Sequence, residues 1–128
     1  MALTHTIGRS WSNGARSIGA ANVHVGDGQI SLSVIVPDSS TDMQIDVALD
    51  VSQAKAIYIK SSQAITIETN DGGSPDDTLV LVADVPYVWT EDDYVANLLT
   101  TDVTALYATN SSGADATLEI EILYDATP

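Results

Sequence analysis

Short stretches in which apolar and polar residues alternate constrain this chain more than any other feature. Such stretches occupy residues 30–36, 43–49 and 118–124. Because successive side chains of a strand point to opposite faces, each stretch has one face for a core and one for water. The alternation predicts three β-strands, and the chain contains no long run with helical periodicity.

Five further apolar runs complete an all-β prediction, and clusters of Gly, Asp, Asn, Ser and Pro lie between many of these runs. Many short strands punctuated by turns are typical of a β-sandwich or jelly-roll-like fold, here of about eight strands. The five additional strands are predicted at residues 56–60, 64–69, 79–83, 85–89 and 103–109.

Three local patterns make more specific predictions. The sequence Leu-Val-Leu-Val at 79–82 is apolar on both faces, which predicts a strand in the middle of a sheet, covered on both sides. Residues 51–54 follow a candidate N-cap, Asp50, and residues 91–96 follow Thr90, so each segment is predicted to form one or two helical turns.

The uneven distribution of charge divides the chain into two parts. All 18 acidic residues lie in residues 27–128, whereas residues 1–26 contain none and are rich in Gly and Ser. With 128 residues, the chain fits a single domain. We therefore expect an irregular N-terminal arm or lead-in strand at 1–26, followed by an acidic β-sandwich body at 27–128.

The net charge of −14 limits the class of partner. Nucleic-acid binding needs cations that neutralise phosphates, and anionic membrane surfaces attract basic segments, so neither is an expected partner. No apolar run is long enough to span a bilayer, and the start lacks a secretory pattern. Because no apolar run could span a membrane, we expect a soluble protein. A chain without cysteine has neither disulfides nor thiolate metal ligands.

The basic segment 1–26 is the strongest candidate for contact with another protein. Trp11 lies between Arg9 and Arg16, and Trp and Arg are the residues that most often dominate interface energies. Ile7 and Ile18 are the apolar residues predicted to accompany them. The alternative is an ordinary first strand whose arginines pair with acidic residues of the same chain.

Two weaker candidate sites have simpler explanations. Tyr87, Trp89 and Tyr94 could stack on sugar rings, but alternation favours burial of Trp89 in a core that contains no Phe. Carboxylates on one loop could bind Ca²⁺, although their spacing does not match an EF-hand and Gly-Ser-Pro-Asp is ordinary turn chemistry. The loop residues concerned are Asp71, Asp76 and Asp77. We expect no metal and no cofactor.

Catalytic motifs are lacking in the sequence. His5 and His24 are the only side chains with an ordinary pKa near neutrality, and neither belongs to a recognisable nucleophile or metal motif. The chain has no Gly-rich phosphate loop and no Gly-x-Ser-x-Gly elbow. The sequence therefore predicts a binding protein and not an enzyme.

Several segments together resemble a family of small structural proteins of tailed bacteriophages that decorate or cement the capsid. The likeness is carried by TDMQIDVALDVSQAKAIYI at 41–59, ITIETN at 65–70, DDTL at 76–79 and LTTDVTALYATN at 99–110, and the opening HTIGRSWSNG at 5–14 is similar in character. The resemblance implies a virion protein that is made in the host cytoplasm and binds the major capsid protein on the outer head surface.

The same resemblance implies a homo-oligomer, often a trimer at symmetry positions of the head. Two alternatives stay open at this point. A tail or fibre component would differ from a head protein by its location on the particle, and a carbohydrate-binding β-sandwich module would use the aromatic group described above.

Overall fold

The computed structural model describes residues 2–126, in which ten strands form three antiparallel sheets. Two strands form a separate sheet at the N-terminus, and the other eight form two sheets of four strands each. The strands are β1 (Leu3–Ser12), β2 (Ser17–Gly26), β3 (Gly28–Val36), β4 (Met43–Ile45), β5 (Ala54–Ser61), β6 (Thr66–Thr69), β7 (Thr78–Val80), β8 (Tyr87–Thr90), β9 (Leu106–Thr109) and β10 (Ala116–Tyr124).

The eight strands of the body have jelly-roll connectivity. One sheet has the order β3-β10-β5-β8 and the other β4-β9-β6-β7. The first body strand thus pairs with the last, the second with the seventh, the third with the sixth and the fourth with the fifth. This nested pairing is that of a double-sheet jelly roll, and it confirms the prediction of an eight-stranded sandwich.

A single aliphatic core lies between the two sheets. On β10, Leu118, Ile120 and Ile122 are buried, whereas Glu119 and Glu121 between them are exposed. The alternation on β3 and β4 is confirmed in the same way. Because β10 lies between β3 and β5, its inward side chains occupy the middle of the core.

The predicted strand at 43–49 forms ladder hydrogen bonds over fewer residues than its alternating pattern suggests. Only β4 forms a ladder, after which the chain stays extended and returns to the sheet through a single bridge between Leu49 and Val103. A 3₁₀ turn, Val51–Gln53, follows, and the Asp50 side chain accepts a hydrogen bond from the N–H of Ser52. The first helical-turn prediction is therefore confirmed.

The second helical-turn prediction, at 91–96, is wrong. Here the N–H of Asp93 donates to the carbonyl of Thr90, which closes a single turn that does not continue as a helix. Among residues 2–126, no helix is long and apolar enough to cross a membrane.

The prediction that 79–82 would be covered on both faces is also wrong. β7 is an edge strand, paired only with β6, and only its inward residues Leu79 and Leu81 are buried. Val80 and Val82 are 76% and 62% exposed. The four residues are apolar, but none of residues 2–126 covers the outward side chains Val80 and Val82.

The expectation of an irregular arm is corrected by a regular antiparallel hairpin. β1 and β2 pair over ten positions, from Leu3 opposite Gly26 to Ser12 opposite Ser17. Its base packs on the outer face of the β3-β10-β5-β8 sheet, where a β-carbon on Gly26 would lie 2.4 Å from the carbonyl oxygen of Tyr124. At the base, the hairpin backbone thus lies too close to β10 for any residue larger than glycine at position 26.

Candidate functional site

A bidentate ion pair holds β1 of the hairpin on the body. The guanidinium nitrogens Nη1 and Nη2 of Arg9 donate to the two carboxylate oxygens of Asp93 at 2.9 and 3.0 Å. Thr90 Oγ1 donates to the same carboxylate at 2.8 Å. We call Arg9, Thr90 and Asp93 the clamp. Arg9 therefore pairs with an acid of its own chain, as the alternative sequence interpretation predicted.

A second contact holds β2. The imidazole of His24 is buried, and its Nδ1 lies 3.2 Å from Glu91 Oε2 and 4.0 Å from Asp92 Oδ2. The other carboxylate oxygen of Glu91 lies 3.6 Å from Lys55 Nζ on β5. The segment after β8 therefore contacts both strands of the hairpin, β1 through the clamp and β2 through His24.

The clamp changes the ionisation of its acid. Partial burial opposes ionisation of Asp93, but the hydrogen bonds from Arg9 and Thr90 and the charge of Arg9 outweigh it and lower the pKa of Asp93 below its ordinary 3.8. A carboxyl whose pKa is lowered by folding stabilises the folded form above its ordinary pKa. That contribution is lost as the pH falls through the lowered value.

Between Arg9 and His24, residues 10–23 of the hairpin make no hydrogen bond or ion pair with the body in the part of the chain that the structure describes. All residues from 8 to 23 are exposed, including the cross-strand pair Trp11 and Ile18, which are 74% and 52% exposed. We call residues 10–19 the hairpin tip. Arg9, the clamp residue of the hairpin, lies three residues before Ser12. The strands therefore extend about 10 Å beyond the clamp, at 3.4 Å per residue.

The turn of the tip is well defined. The Asn13 side chain accepts hydrogen bonds from the N–H groups of Ala15 and Arg16 at 3.0 and 2.8 Å, and Gly14 has a positive φ of 91°. Arg16 makes no ion pair within residues 2–126. The tip thus presents one unpaired cation beside the exposed pair Trp11 and Ile18.

The structure divides the five predicted partner residues into two groups. Ile7 and Arg9 lie near the base, where both line the clefts between the hairpin and the body. Trp11, Arg16 and Ile18 lie together at the tip. Sequence reasoning missed the hairpin itself, although Asn13-Gly14 between two extended runs is a strong hairpin signal.

Charge is segregated along the same boundary. Residues 1–26 carry Arg9 and Arg16 and no acid, hence +2, whereas residues 27–128 carry 18 acids, Lys55 and Lys60, hence −16; the sum is the net −14. An isolated two-stranded hairpin is marginally stable in water at best. A cationic, aromatic-tipped hairpin that projects from an acidic body is therefore suited to docking on another surface.

The aromatic residues proposed for sugar stacking do not share one exposed platform. Tyr87 and Trp89 are half-buried and pack against the core, where Tyr87 Oη donates to Asn97 Oδ1 and Trp89 Nε1 donates to the carbonyl of Val95. Burial raises the pKa of the Tyr87 phenol, partly offset by the hydrogen bond from Leu98 N–H. Tyr94 alone is fully exposed.

The carboxylates of the 70–77 loop accept hydrogen bonds from the protein itself. Asp71 accepts from Gly73 N–H, Asp76 from Asn70 Nδ2, and Asp77 from the N–H groups of Thr100 and Thr101. Within the described chain, no three His, Cys, Asp or Glu side chains are grouped so that they could hold a metal ion. These hydrogen bonds stabilise the loop itself and connect it to Thr100 and Thr101.

Asn70 organises this loop, a role that the sequence pattern did not reveal. Its Nδ2 donates to Asp76 Oδ2 and to the carbonyl of Asp102, and its Oδ1 accepts from the N–H and Oγ1 of Thr104. One side chain therefore joins the 70–77 loop to the segment that leads into β9.

Both histidines lie in the hairpin base, directly opposite each other. His5 Nε2 is 2.9 Å from Gln29 Oε1, and His24 contacts Glu91. Each ring thus connects the hairpin to the body through an ordinary side-chain hydrogen bond.

Removing the charge of the clamp is expected to loosen the hairpin without unfolding the body. In Asp93→Asn the ionic bonds to Arg9 are lost, so amide hydrogens of residues 8–21 that are protected by β1–β2 pairing should exchange at least several-fold faster by NMR. Amides of β10 should be unaffected. As the pH falls through the lowered pKa of Asp93, the wild type should likewise lose protection of these amides, measured relative to their intrinsic exchange rates at each pH.

Asp46→Asn is the control for loss of one negative charge, because Asp46 is exposed and makes no hydrogen bond or ion pair with the hairpin in the described residues. It should leave the exchange of these amides unchanged. Equal hairpin exchange in Asp93→Asn and in wild type at neutral pH would show that the clamp does not hold the hairpin.

No protein-family model, no curated protein and no solved structure matches this chain.

Proposed function

We propose that this protein is a structural protein of a tailed-phage virion, which decorates the outer surface of the head and reinforces contacts between neighbouring subunits. The observation that carries the proposal is the hairpin: a cationic element with an exposed Trp and Ile at its tip, extending from an acidic jelly roll. The resemblance of the 41–59, 65–70 and 99–110 segments to decoration proteins supplies the biological setting.

In the proposed mechanism the body sits on the major capsid protein and the hairpin reaches to a neighbouring protein subunit on the head surface. Trp11 and Ile18 lose their contact with water, and Arg16 meets carboxylates of that subunit. Aromatic and Arg anchors in a desolvated pocket commonly contribute most of the binding energy of an interface. A ligand that binds only the assembled shell stabilises the shell by mass action.

Partial burial of two of the three aromatic residues, Tyr87 and Trp89, supports the proposal over a carbohydrate-binding module. Sugar platforms need several aromatic faces open to solvent, whereas Tyr87 and Trp89 are held against the core by their hydrogen bonds. The tail or fibre alternative uses the same hairpin chemistry and differs only in location on the particle.

A binding assay with heads that lack the protein tests the proposal. Purified wild-type protein should co-sediment with such heads at saturable stoichiometry, and Trp11→Ala/Ile18→Ala should bind at least about 30-fold more weakly, as expected when anchors worth 2 kcal/mol or more are removed.

Val23→Ala/Val25→Ala is the matched control, since these valines are 60% and 51% exposed in the same hairpin but lie on its opposite face. It should bind heads like the wild type. Wild-type protein that binds isolated tails and not heads would reject head decoration, and undiminished binding of the Trp11/Ile18 variant would reject the role of the tip.

A further inference from the structure

A second exposed apolar surface lies on the body, beside the edge strand β7. A groove of about 230 Å³ runs between β7, the turn that follows it and Leu98. Four of its lining residues are large hydrophobic side chains that are more than half exposed, namely Val80, Val82, Val85 and Leu98. We call these four residues the valine groove. Its volume is below the roughly 300–1,000 Å³ of small-molecule sites and suits one large side chain.

The strand that forms this groove has the composition of a covered strand. Leu79 and Leu81 face the core, but the outward residues Val80 and Val82 are equally apolar. An edge strand with unpaired backbone groups and exposed valines is normally protected, because it can pair with or bind other chains. None of the residues that line the groove belongs to the hairpin of the same chain.

Charge identifies what can cover the groove. Asp84 lies in the turn between Val82 and Val85, and the body carries −16. Groove-to-groove contact of two copies would bring two acidic bodies and two Asp84 side chains together, which is unfavourable. The hairpin tip has the complementary composition: Trp11 and Ile18 are apolar, and Arg16 is a cation without an ion pair in the described residues.

We infer that the hairpin tip of one copy docks in the valine groove of a second copy, with Arg16 close to Asp84. This inference rests on the proposed role of the hairpin, and it identifies the neighbouring subunit that the tip binds as a second copy of this chain. Each copy has one tip and one groove, so the contact is head-to-tail. Contacts of this kind generate a closed ring when the rotation closes and an open chain when it does not.

Sedimentation velocity of the full chain, without phage heads, tests the inference. Wild-type protein at micromolar to millimolar concentration should associate beyond a single chain. Trp11→Ala/Ile18→Ala and Val82→Asp should each weaken association at least about 30-fold. Ile35→Asp is the matched control: Ile35 is 52% exposed, lies on β3 in the other sheet, and should leave association unchanged.

Mixing the two defective variants gives the sharpest result. The tip variant retains its groove and the groove variant retains its tip, so an equimolar mixture should form a two-chain species and nothing larger. Arg16→Glu should weaken association of the full chain, and Arg16→Glu/Asp84→Lys should restore it. Rescue by charge exchange would not occur if the tip and the groove bound different partners.

Single-chain behaviour of the wild type up to millimolar concentration would overturn the inference, as would association lost with Val82→Asp but retained with the tip variant. Because this assay contains no heads, either result leaves the head-binding experiment as an independent test of the proposed function. Association in solution combined with no binding to heads would reject the function and retain the inference.

Discussion

Replacing Ile120 with alanine is expected to destabilise the domain by about 2–5 kcal/mol. Ile120 is fully buried at the middle of β10, between β3 and β5, so the truncation leaves a cavity that surrounding strands cannot close. Urea unfolding followed by circular dichroism should show a lower midpoint with an unchanged slope. A loss of this size is a large part of the 5–15 kcal/mol that typically separates a folded domain from its unfolded chain.

Ile35→Ala provides the comparison, because Ile35 lies on β3 with its side chain on the outer face. Its effect should stay within about 0.5 kcal/mol, as is usual for surface positions. Similar losses at both positions would contradict the placement of the core between the two sheets.

Replacing Asn110 with alanine is expected to cost on the order of 3 kcal/mol. Asn110 is fully buried, and its Nδ2 donates to the carbonyls of Val36 and Ala114 while its Oδ1 accepts from Ser112 N–H and Oγ. Removal of the amide takes a partner from the Val36 carbonyl in a buried environment, which is costlier than loss of a hydrogen bond at the surface. The unfolding midpoint in urea should fall accordingly.

The exposed neighbour Ser111 offers the control, and Ser111→Ala should change the stability by no more than about 0.5 kcal/mol. An Asn110→Ala variant as stable as the wild type would mean that the link between the β9–β10 turn and β3 does not stabilise the fold.

Alternation of apolar and polar residues was sufficient to predict most of the body. The pattern on β3, β4 and β10 depends on which side chains face the core, so it is visible in the sequence. It is confirmed except at Leu123, which was predicted on the outer face with Glu119 and Glu121 and is buried near Gly26 at the base of the hairpin. The 3₁₀ turn after Asp50 was predictable for a related reason, because its cap bonds a backbone group two residues away.

Features that depend on partners distant in sequence could not be predicted. The position of β7 at a sheet edge follows from the pairing of all eight body strands and not from its own composition. Arg9 and Asp93 are 84 positions apart, and nothing local indicates that they form a pair. Asn70 and Asn110 were visible as turn residues, but the sequence does not show that Asn70 bonds Asp102 and Thr104, or that Asn110 bonds the carbonyl of Val36.

The candidate site was predicted in part. Residues 1–26 stand out by charge, and Trp11, Arg16 and Ile18 lie together at the exposed tip. Arg9, predicted beside them, is held in the clamp because an acid in the segment after β8 lies within its reach. The hydrogen bonding of the hairpin was missed because its many Gly and Ser residues were read as irregular structure, and the Asn13-Gly14 turn was not used.

A reconstruction of the parent phage particle at side-chain resolution tests the central claim most directly. The account predicts the jelly roll on the outer surface of the head, with each hairpin tip buried against a neighbouring subunit and Trp11 removed from solvent. Density for this chain on the tail, or a hairpin that lies only along its own body with Trp11 exposed, would contradict it.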